Sequence, residues 1–442
     1  MASVQYPPGP RGNLLAGHLA RMRRDPLPFL TQNARTYGDI VFMRLATIPV
    51  YLLSHPDDIE YVLLAANRKF IKPRLLRDAG EVLGNGLLTS EGDLWLRQRR
   101  LMQPAFHRDR INAYGETMVD LTLHMLDDWS DGVECDIHDQ MMHLTLAIVV
   151  RTLFGTDIGM RGSEVGAALN VALERFVDRL SLKRLLDSIP FLPRNRRFQR
   201  ARARLDGIIY DIINQRRSNP GGTDLLSLLL AARDEDGSRM DDRQLRDEAI
   251  TLFLAGHETT AIALTWTWYL LAQHPEVEEK LMAELDRELG GAPPAVADLS
   301  RLPYTEMVVK ESMRLYPPAW RIGREAIEEC TIRGYRIPPG AQIVMSQWIV
   351  HRDPRFFADA DRFRPERWEE IPGTLPKYAY FPFGGGARRC IGDTFAMMEA
   401  RLIVAAVLQR FRLQLLPDQP IALWPSITLR PRHGVRMRPI RR

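Results

Sequence analysis

Long apolar runs are absent from this 442-residue sequence. No stretch approaches the ~20 apolar residues that span a bilayer, and the amino-terminal residues show no signal-peptide pattern. Internal repeats and low-complexity tracts are absent as well. We therefore expect a soluble, cytoplasmic protein with no membrane span.

Cysteine is scarce too. The three cysteines, Cys135, Cys330 and Cys390, lie far apart and form no C-x-x-C pair. This argues against a disulfide framework and against a cysteine-based zinc site. Histidine gives no metal signal either, since His107, His257 and His351 show no H-x-x-x-H or H-E-x-x-H spacing.

Lysine is also rare, since only six of the 60 basic residues are lysines and the remainder are arginines. The net charge is +5, and no basic run is interleaved with aromatic residues. We therefore expect no nucleic-acid partner.

Apolar residues make up 45% of the chain, enough for a large core. Helix dominates the pattern, strands form a minority near both ends, and no long linker interrupts the chain. We therefore expect one mainly α domain with minor β, covering 1–442. Helices are predicted at 24–37, 93–107, 113–129, 138–154, 164–180, 198–217, 223–234, 241–273, 276–289, 304–316 and 391–411. Strands are predicted at 40–44, 50–53, within 320–346 and at the carboxyl terminus, and residues 67–91 as an irregular, mobile loop.

The longest predicted helix begins at Asp241, where Asp241 and Gln244 resemble a capping box, and is ended by Pro275. At 1.5 Å per residue its roughly 32 residues extend about 50 Å. Such a helix must cross a whole domain.

A glycine-rich loop near the carboxyl terminus, FGGGARRCIG at 383–392, encloses Cys390. Glycines let the backbone approach the sulfur closely, while adjacent arginines and the positive end of the following helix favour a thiolate. A thiolate held this way either ligates a metal or attacks a substrate, and the loop alone leaves both open.

The middle of the longest helix contains AGHETT at 255–260 inside an apolar stretch. A glycine within a helix costs about 1 kcal/mol relative to alanine, and a buried acid needs a partner. Threonine hydroxyls also bond carbonyls one turn back. An acid beside an alcohol suits the binding of a small polar molecule and proton transfer to it, and the alternative is a helix kink filled by water.

Five short motifs in the same order resemble those of the cytochrome P450 family, the haem-thiolate monooxygenases, across almost the entire chain. They are F-x-x-G-x-R-x-C-x-G at 383–392, A-G-x-E-T at 255–259, E-x-x-R at Glu311 and Arg314, P-E-R at 365–367 and W-x-x-x-R at Trp95 and Arg99. The resemblance implies the P450 fold: one haem domain, a long central helix crossing the haem and small peripheral sheets.

The resemblance assigns the cofactor residues. It implies haem b with Cys390 as the axial thiolate of the iron. Phe383 belongs to the cysteine loop, and the remaining cofactor-binding side chains are implied to donate to the haem propionates. These are Trp95, Arg99, Arg324 and Arg388.

The resemblance also assigns the reaction, the insertion of one oxygen atom from O2 into a small molecule by hydroxylation or epoxidation. Glu258 and Thr259 are implied to deliver the protons. Glu311, Arg314 and Arg367 are implied to form a buried triad that supports the cysteine loop.

The implied substrate pocket is apolar, so a lipophilic substrate is expected. Its predicted lining residues are Leu87, Leu254, Ala255, Trp320, Ile322 and Ile427. Arg74, Arg77 and Arg321 are candidates for anchoring a substrate carboxylate, and the favoured alternative for each is a surface charge.

A separate protein is expected to supply the electrons. Because no flavin or nicotinamide domain follows the cysteine loop, electrons are expected from a separate ferredoxin or flavodoxin. A basic proximal face is predicted from Arg97, Arg100, Arg389 and Arg401. A monomer is expected.

Three other interpretations remain at this point. One is a haem-thiolate peroxygenase or isomerase that uses peroxide, against which the Glu258–Thr259 pair argues. The second is a non-catalytic haem protein that binds gases. The third is a cysteine nucleophile enzyme without haem.

Overall fold

The computed structural model describes residues 6–155, 166–168, 171, 192–219, 221–234, 237–371 and 373–442. The helix predicted at 164–180 lies almost entirely outside these residues. Within the described part of the chain, none of the helices is long and apolar enough to cross a membrane.

Helices account for most of the regular structure, which confirms the mainly α prediction. Their bounds are α1 Leu19–Arg24, α2 Pro26–Tyr37, α3 Pro56–Glu60, α4 Arg74–Asp78, α5 Gly80–Leu83, α6 Gly92–Met102, α7 Arg108–Asp127, α8 Ile137–Phe154, α9 Pro193–Ser218, α10 Leu225–Ala231, α11 Asp242–Leu271, α12 Pro275–Leu289, α13 Pro303–Leu315, α14 Gln347–Val350, α15 Arg367–Glu370 and α16 Asp393–Arg410.

The strands are short and form small sheets. Their bounds are β1 Ile40–Leu45, β2 Ile48–Leu53, β3 Phe70–Ile71, β4 Cys135–Asp136, β5 Ile322–Ala326, β6 Cys330–Ile332, β7 Tyr335–Ile337, β8 Gln342–Met345, β9 Phe411–Leu415, β10 Leu423–Pro425, β11 Leu429–Pro431 and β12 Arg436–Arg441. The sheet orders are β1-β2-β8-β5-β3, β4-β12-β9, β6-β7 and β10-β11.

Helix ends follow the predicted capping signals. The Asp241 carboxylate accepts a hydrogen bond from the Gln244 backbone N–H at 2.7 Å and caps α11. Pro275 occupies the first turn of α12, where its missing N–H leaves no carbonyl unsatisfied. Asp136 caps α8 through the His138 N–H at 2.9 Å.

The segment at 67–91 is not irregular throughout, so that prediction is wrong. It contains the short strand β3, helices α4 and α5 and a 3-10 turn at Asn67–Lys69. Two of its glycines, Gly84 and Gly86, pack closely against α11, which local sequence patterns do not reveal.

The chain divides into two compact units. Unit 1 comprises Met1–Arg74, Lys310–Cys390 and Leu423–Arg430, and unit 2 comprises Leu75–Val309, Ile391–Ala422 and Pro431–Arg442. The expectation that a single domain covers residues 1–442 therefore remains a prediction.

The core of unit 1 covers both faces of its five-stranded sheet. Along β2 the side chains alternate, so that Val50 and Leu52 pack in one cluster while Tyr51 and Leu53 pack in another. The sheet is mixed, with β2 parallel to β8 and its other pairings antiparallel.

The core of unit 2 is built around α11, which packs along α8. Phe154 and Phe253 stack with ring centroids 4.4 Å apart, and Trp266 and Trp268 are almost completely buried. Burying a large aromatic side chain contributes on the order of 2–3 kcal/mol. The apolar stretch that surrounds the AGHETT motif is therefore explained by packing.

Candidate active site

The cysteine loop is held in place by its own backbone. The Cys390 N–H donates to the Phe383 carbonyl at 3.0 Å. Gly386 has φ +66°, and a Cβ there would collide with the Leu63 carbonyl oxygen. Only glycine fits this position, because it combines a left-handed backbone with a close approach of another chain segment.

The three cysteines differ in what their sulfurs can do, and none forms a disulfide. Burial raises the pKa of Cys135 to about 11 and also raises the pKa of Cys330, so both stay protonated thiols at neutral pH. Cys390 is exposed. It is therefore the cysteine whose sulfur is accessible to a ligand, which fits the predicted axial thiolate.

Behind the cysteine loop, unit 1 contains a fully buried ion network. Glu311 accepts hydrogen bonds from Arg314 at 2.8 and 2.9 Å and from Arg367 Nε at 2.8 Å, and all three side chains are 0% exposed. Both guanidiniums then donate to backbone carbonyls of the 351–362 segment. The predicted triad is thus present.

His351 links this network to the cysteine loop. Its carbonyl accepts from Arg314 Nη1 at 2.7 Å, and its Nε2 accepts from the Phe381 N–H at 3.0 Å. Burial and the neighbouring arginines lower the pKa of His351 well below its usual value, so the ring remains neutral and able to accept. This role could not be predicted from local sequence patterns, because it depends on a contact between residues 30 positions apart in the chain.

The AGHETT segment lies in α11, which continues unbroken through it. The Thr259 hydroxyl donates to the Ala255 carbonyl at 2.7 Å, and Thr260 donates to the Gly256 carbonyl at 3.3 Å. These bonds one turn back are the predicted ones. Glu258 is only 2% exposed.

Gly256 has a packing reason of its own. A Cβ at this position would lie 2.8 Å from Cγ2 of Val149 on α8. Ala255 is exposed although the preceding residues of the helix are buried. One side of the helix is therefore closed by α8, while Ala255 and the partly buried Thr259, one turn apart, mark an accessible face.

Leu87 lies in a loop that α11 holds by two acids. The Asp247 carboxylate accepts a hydrogen bond from the Asn85 N–H at 2.8 Å. The Glu248 carboxylate accepts one from the Leu87 N–H, also at 2.8 Å. Gly86 fits because a Cβ there would collide with Thr251 of the same helix. Neither acid is predicted to contact this loop, because both lie far from it along the sequence.

The predicted propionate ligands fall in two groups. In unit 2, Trp95 and Arg99 lie one turn apart on α6, and both are partly buried. In unit 1, Arg388 Nη1 donates to the Phe70 carbonyl of β3 at 3.0 Å, and β3 pairs with β5, which carries Arg324. In unit 1 the Arg388 side chain thus contacts the strand next to the one that carries Arg324, and Phe383 is partly buried in the same loop as Arg388.

Two of the predicted pocket segments meet in unit 1. The Trp320 Nε1–H donates to the Ser426 carbonyl at 3.0 Å, beside Ile427, which is 37% exposed. Trp320 itself is 1% exposed and packs in the core, so it offers almost no surface to a substrate. Ile322 is partly buried, and in unit 2 Leu254 is 8% exposed.

Two of the four arginines predicted for the basic face are held inside unit 2, so they do not serve as free docking charges. Arg97 pairs with Asp234 at 2.7 Å and donates to Gln244 at 3.0 Å. Arg401 is 13% exposed and pairs with Glu306 at 2.9 Å. Arg100 and Arg389 are exposed.

Comparison with known proteins identifies relatives along the whole chain. The cytochrome P450 family model matches residues 7–434. Cyclooctatin synthase of Streptomyces melanosporofaciens is 40% identical over 426 residues, covering 95% of this chain and 92% of the relative. Pentalenene oxygenase of Streptomyces avermitilis is 36% identical over 419 residues, covering 92% of each.

Among solved structures, the retinoic acid-bound cyanobacterial CYP120A1 superposes with a TM-score of 0.88 at 26% identity, covering 100% of both chains. This similarity confirms the predicted fold class.

Proposed function

Because the chain belongs to the cytochrome P450 family of haem-thiolate monooxygenases, we propose that it inserts one oxygen atom of O2 into a terpenoid-like lipophilic molecule. The second oxygen atom leaves as water, so each turnover consumes two electrons and two protons. The observation that carries the proposal is Cys390, an accessible cysteine in a loop supported by a fully buried ion network.

The cofactor is haem b, as in the family. When bound, it supplies the reductive activation of O2 and the oxygen transfer. The residues of this chain hold it: Cys390 as the thiolate, and Trp95, Arg99, Arg324 and Arg388 as donors to the propionates. Arginine suits this role because its planar donors match a carboxylate.

Glu258 and Thr259 move the protons in this proposal. The Thr259 hydroxyl lies on the accessible face of α11 and donates to the Ala255 carbonyl at 2.7 Å. By rotating, the same hydroxyl can donate to an oxygen atom of the reacting dioxygen. The adjacent Glu258 carboxyl, almost fully buried, replaces each proton that Thr259 passes on.

The substrate class rests on the relatives and on the apolar lining. The predicted lining residues are apolar in each unit: Leu87, Leu254 and Ala255 in unit 2, and Ile322 and Ile427 in unit 1. The relatives bear the names of the terpenoids cyclooctatin and pentalenene. A largely hydrocarbon isoprenoid fits such a lining, because apolar burial drives its binding.

The electrons come from a separate acidic ferredoxin or flavodoxin. Arg100 and Arg389, both exposed, are the cations that we assign to this partner. Arg100→Glu should raise the ferredoxin concentration needed for half-maximal reduction several-fold at low salt, whereas Arg301→Glu, an exposed control elsewhere, should not. Equal reduction of the two variants would remove Arg100 from the docking surface.

The reduced protein under carbon monoxide tests the proposal directly. We expect the far red-shifted absorption of a thiolate-bound haem in the wild type and its loss in Cys390→Ser. Turnover with ferredoxin, its reductase and O2 supports the monooxygenase. Turnover with peroxide, and none with the reductase system, would identify a peroxygenase instead.

A further inference from the structure

Arg321 lies in unit 1, immediately before β5, in a segment that several hydrogen bonds hold in place. The preceding Trp320 is fixed at both ends: its carbonyl accepts from the Ser346 hydroxyl at 2.9 Å, and its indole N–H donates to Ser426. The Leu429 N–H donates to the Pro318 carbonyl at 2.9 Å. These bonds hold the 318–321 segment against the β10–β11 hairpin, next to Ile427.

The Arg321 guanidinium stacks on Trp320, with its central carbon 4.6 Å from the centroid of the indole ring. Because the indole ring covers the flat face of the guanidinium, the N–H groups at the edge of the guanidinium still point outward in the plane of that group. Such an edge matches the two oxygens of a carboxylate.

Within the described residues, no carboxylate pairs with Arg321 and its guanidinium donates no side-chain hydrogen bond, although the residue is only partly exposed. Other guanidiniums of unit 1 have acidic partners: Arg314 and Arg367 pair with Glu311, Arg355 with Asp39, and Arg336 with Glu329. Burial lowers the pKa of Arg321 to about 10, so the group is still a cation at neutral pH. A partly desolvated cation without an anion is costly, and an incoming anion relieves that cost.

We propose that Arg321 binds a carboxylate of the substrate, so that the enzyme takes an isoprenoid acid and not a plain hydrocarbon. The proposal rests on the proposed function, because it places the acid group of the same substrate. One guanidinium balances the single charge of a carboxylate, whereas a diphosphate would need further cations. Ile322 and Ile427 of the same unit then offer apolar surface to the hydrocarbon part next to the acid, and the end remote from the acid is left for oxidation.

Matched ligands test this proposal on the haem-loaded enzyme. The probes are retinoic acid, its methyl ester, and a C16 fatty acid with its methyl ester, titrated through the change in haem spin state. In the wild type we expect each acid to bind at least about tenfold more tightly than its ester. In Arg321→Leu the two should bind within twofold, and Arg321→Lys should keep part of the difference.

Arg336→Leu is the control, because it removes a positive charge from an exposed ion pair of the same unit. It should keep the wild-type preference. Wild type that binds no acid, or binds the esters as tightly, overturns the proposal, and so does an unchanged preference in Arg321→Leu.

Haem content distinguishes the remaining outcomes. If Arg321→Leu loses haem while Arg336→Leu retains it, the guanidinium serves the cofactor and the proposal is overturned. If the wild type lacks the thiolate–haem spectrum, the proposed function fails with it. A normal spectrum with no preference for acids overturns only the role of Arg321.

Discussion

The support of the cysteine loop in unit 1 and the AGHETT segment of α11 in unit 2 both place polar side chains away from solvent, but these side chains differ in the number of hydrogen bonds they make. Glu311 accepts five hydrogen bonds, two from Arg314 and one each from Arg367, the Trp368 indole and the Arg364 backbone. The hydroxyls of Thr259 and Thr260 instead make single bonds to carbonyls of their own helix.

This difference in hydrogen bonding matches the role that we expect of each region, support of the cysteine loop in unit 1 and proton transfer in unit 2. A buried carboxylate with every acceptor site used fixes one geometry, because any movement breaks several charge-assisted bonds at once. A hydroxyl bonded one turn back can rotate at the cost of one bond of about 1 kcal/mol. The chain is therefore rigid around Glu311 and adjustable at Thr259, where we propose that protons move.

The largest expected effect is at the rigid region. Glu311→Gln leaves two buried guanidiniums without their anion, and breaking such a pair costs on the order of 3–5 kcal/mol. We expect more than tenfold less protein with the thiolate–haem absorption, measured per total protein under carbon monoxide.

Asp298→Asn is the matched control, since Asp298 and Arg301 form an exposed pair at the same spacing in the chain. It should leave the absorption unchanged. Equal losses in the two variants would mean that the burial of the Glu311 network contributes nothing to the cysteine loop.

A smaller effect is expected at the adjustable region. Thr259→Ala removes the hydroxyl but keeps the fold, so binding and haem content should match the wild type. Several-fold more of the consumed electrons should appear as hydrogen peroxide, measured against product formed.

Thr267→Ala provides the comparison, because Thr267 makes the same bond one turn back, at 2.8 Å, in a buried part of α11. Its coupling should be that of the wild type. If Thr259→Ala is equally coupled, the hydroxyl has no part in proton delivery.

The smallest effect concerns Glu399, a buried acid of α16. Burial raises its pKa to about 8, and within the described residues neither of its carboxyl oxygens has a hydrogen-bond partner. Between pH 5 and 8 the unfolded chain loses a proton there that the folded protein keeps. Stability should therefore fall as pH rises in this window, by at most about 1.4 kcal/mol per pH unit.

Glu399→Gln removes this titration, so its melting temperature relative to the wild type should increase from pH 5 to pH 8. Glu279→Gln, on the exposed side of α12, should follow the wild type. Parallel curves for Glu399→Gln and wild type would show that Glu399 does not titrate in this range.

Local patterns predicted much of this structure. Periodicity and caps located most helices, and the Cys390 loop and the Glu311–Arg314 pair were visible because each is encoded within a few residues. The failures are contacts between distant segments. From the sequence, Arg97 is predicted to be a surface charge, and only the fold shows that it pairs with Asp234. Trp320 is predicted to line the pocket, and only the fold shows that it packs in the core beside the sheet.

The close approach of Gly256 to Val149 links the evolution of two helices. A methyl group at position 256 would lie 2.8 Å from Cγ2 of Val149, so Val149 or one of the two helices would have to shift to accept it. A constraint on α11, where we propose that protons are delivered, therefore extends to α8, through a residue to which we assign no part in the chemistry.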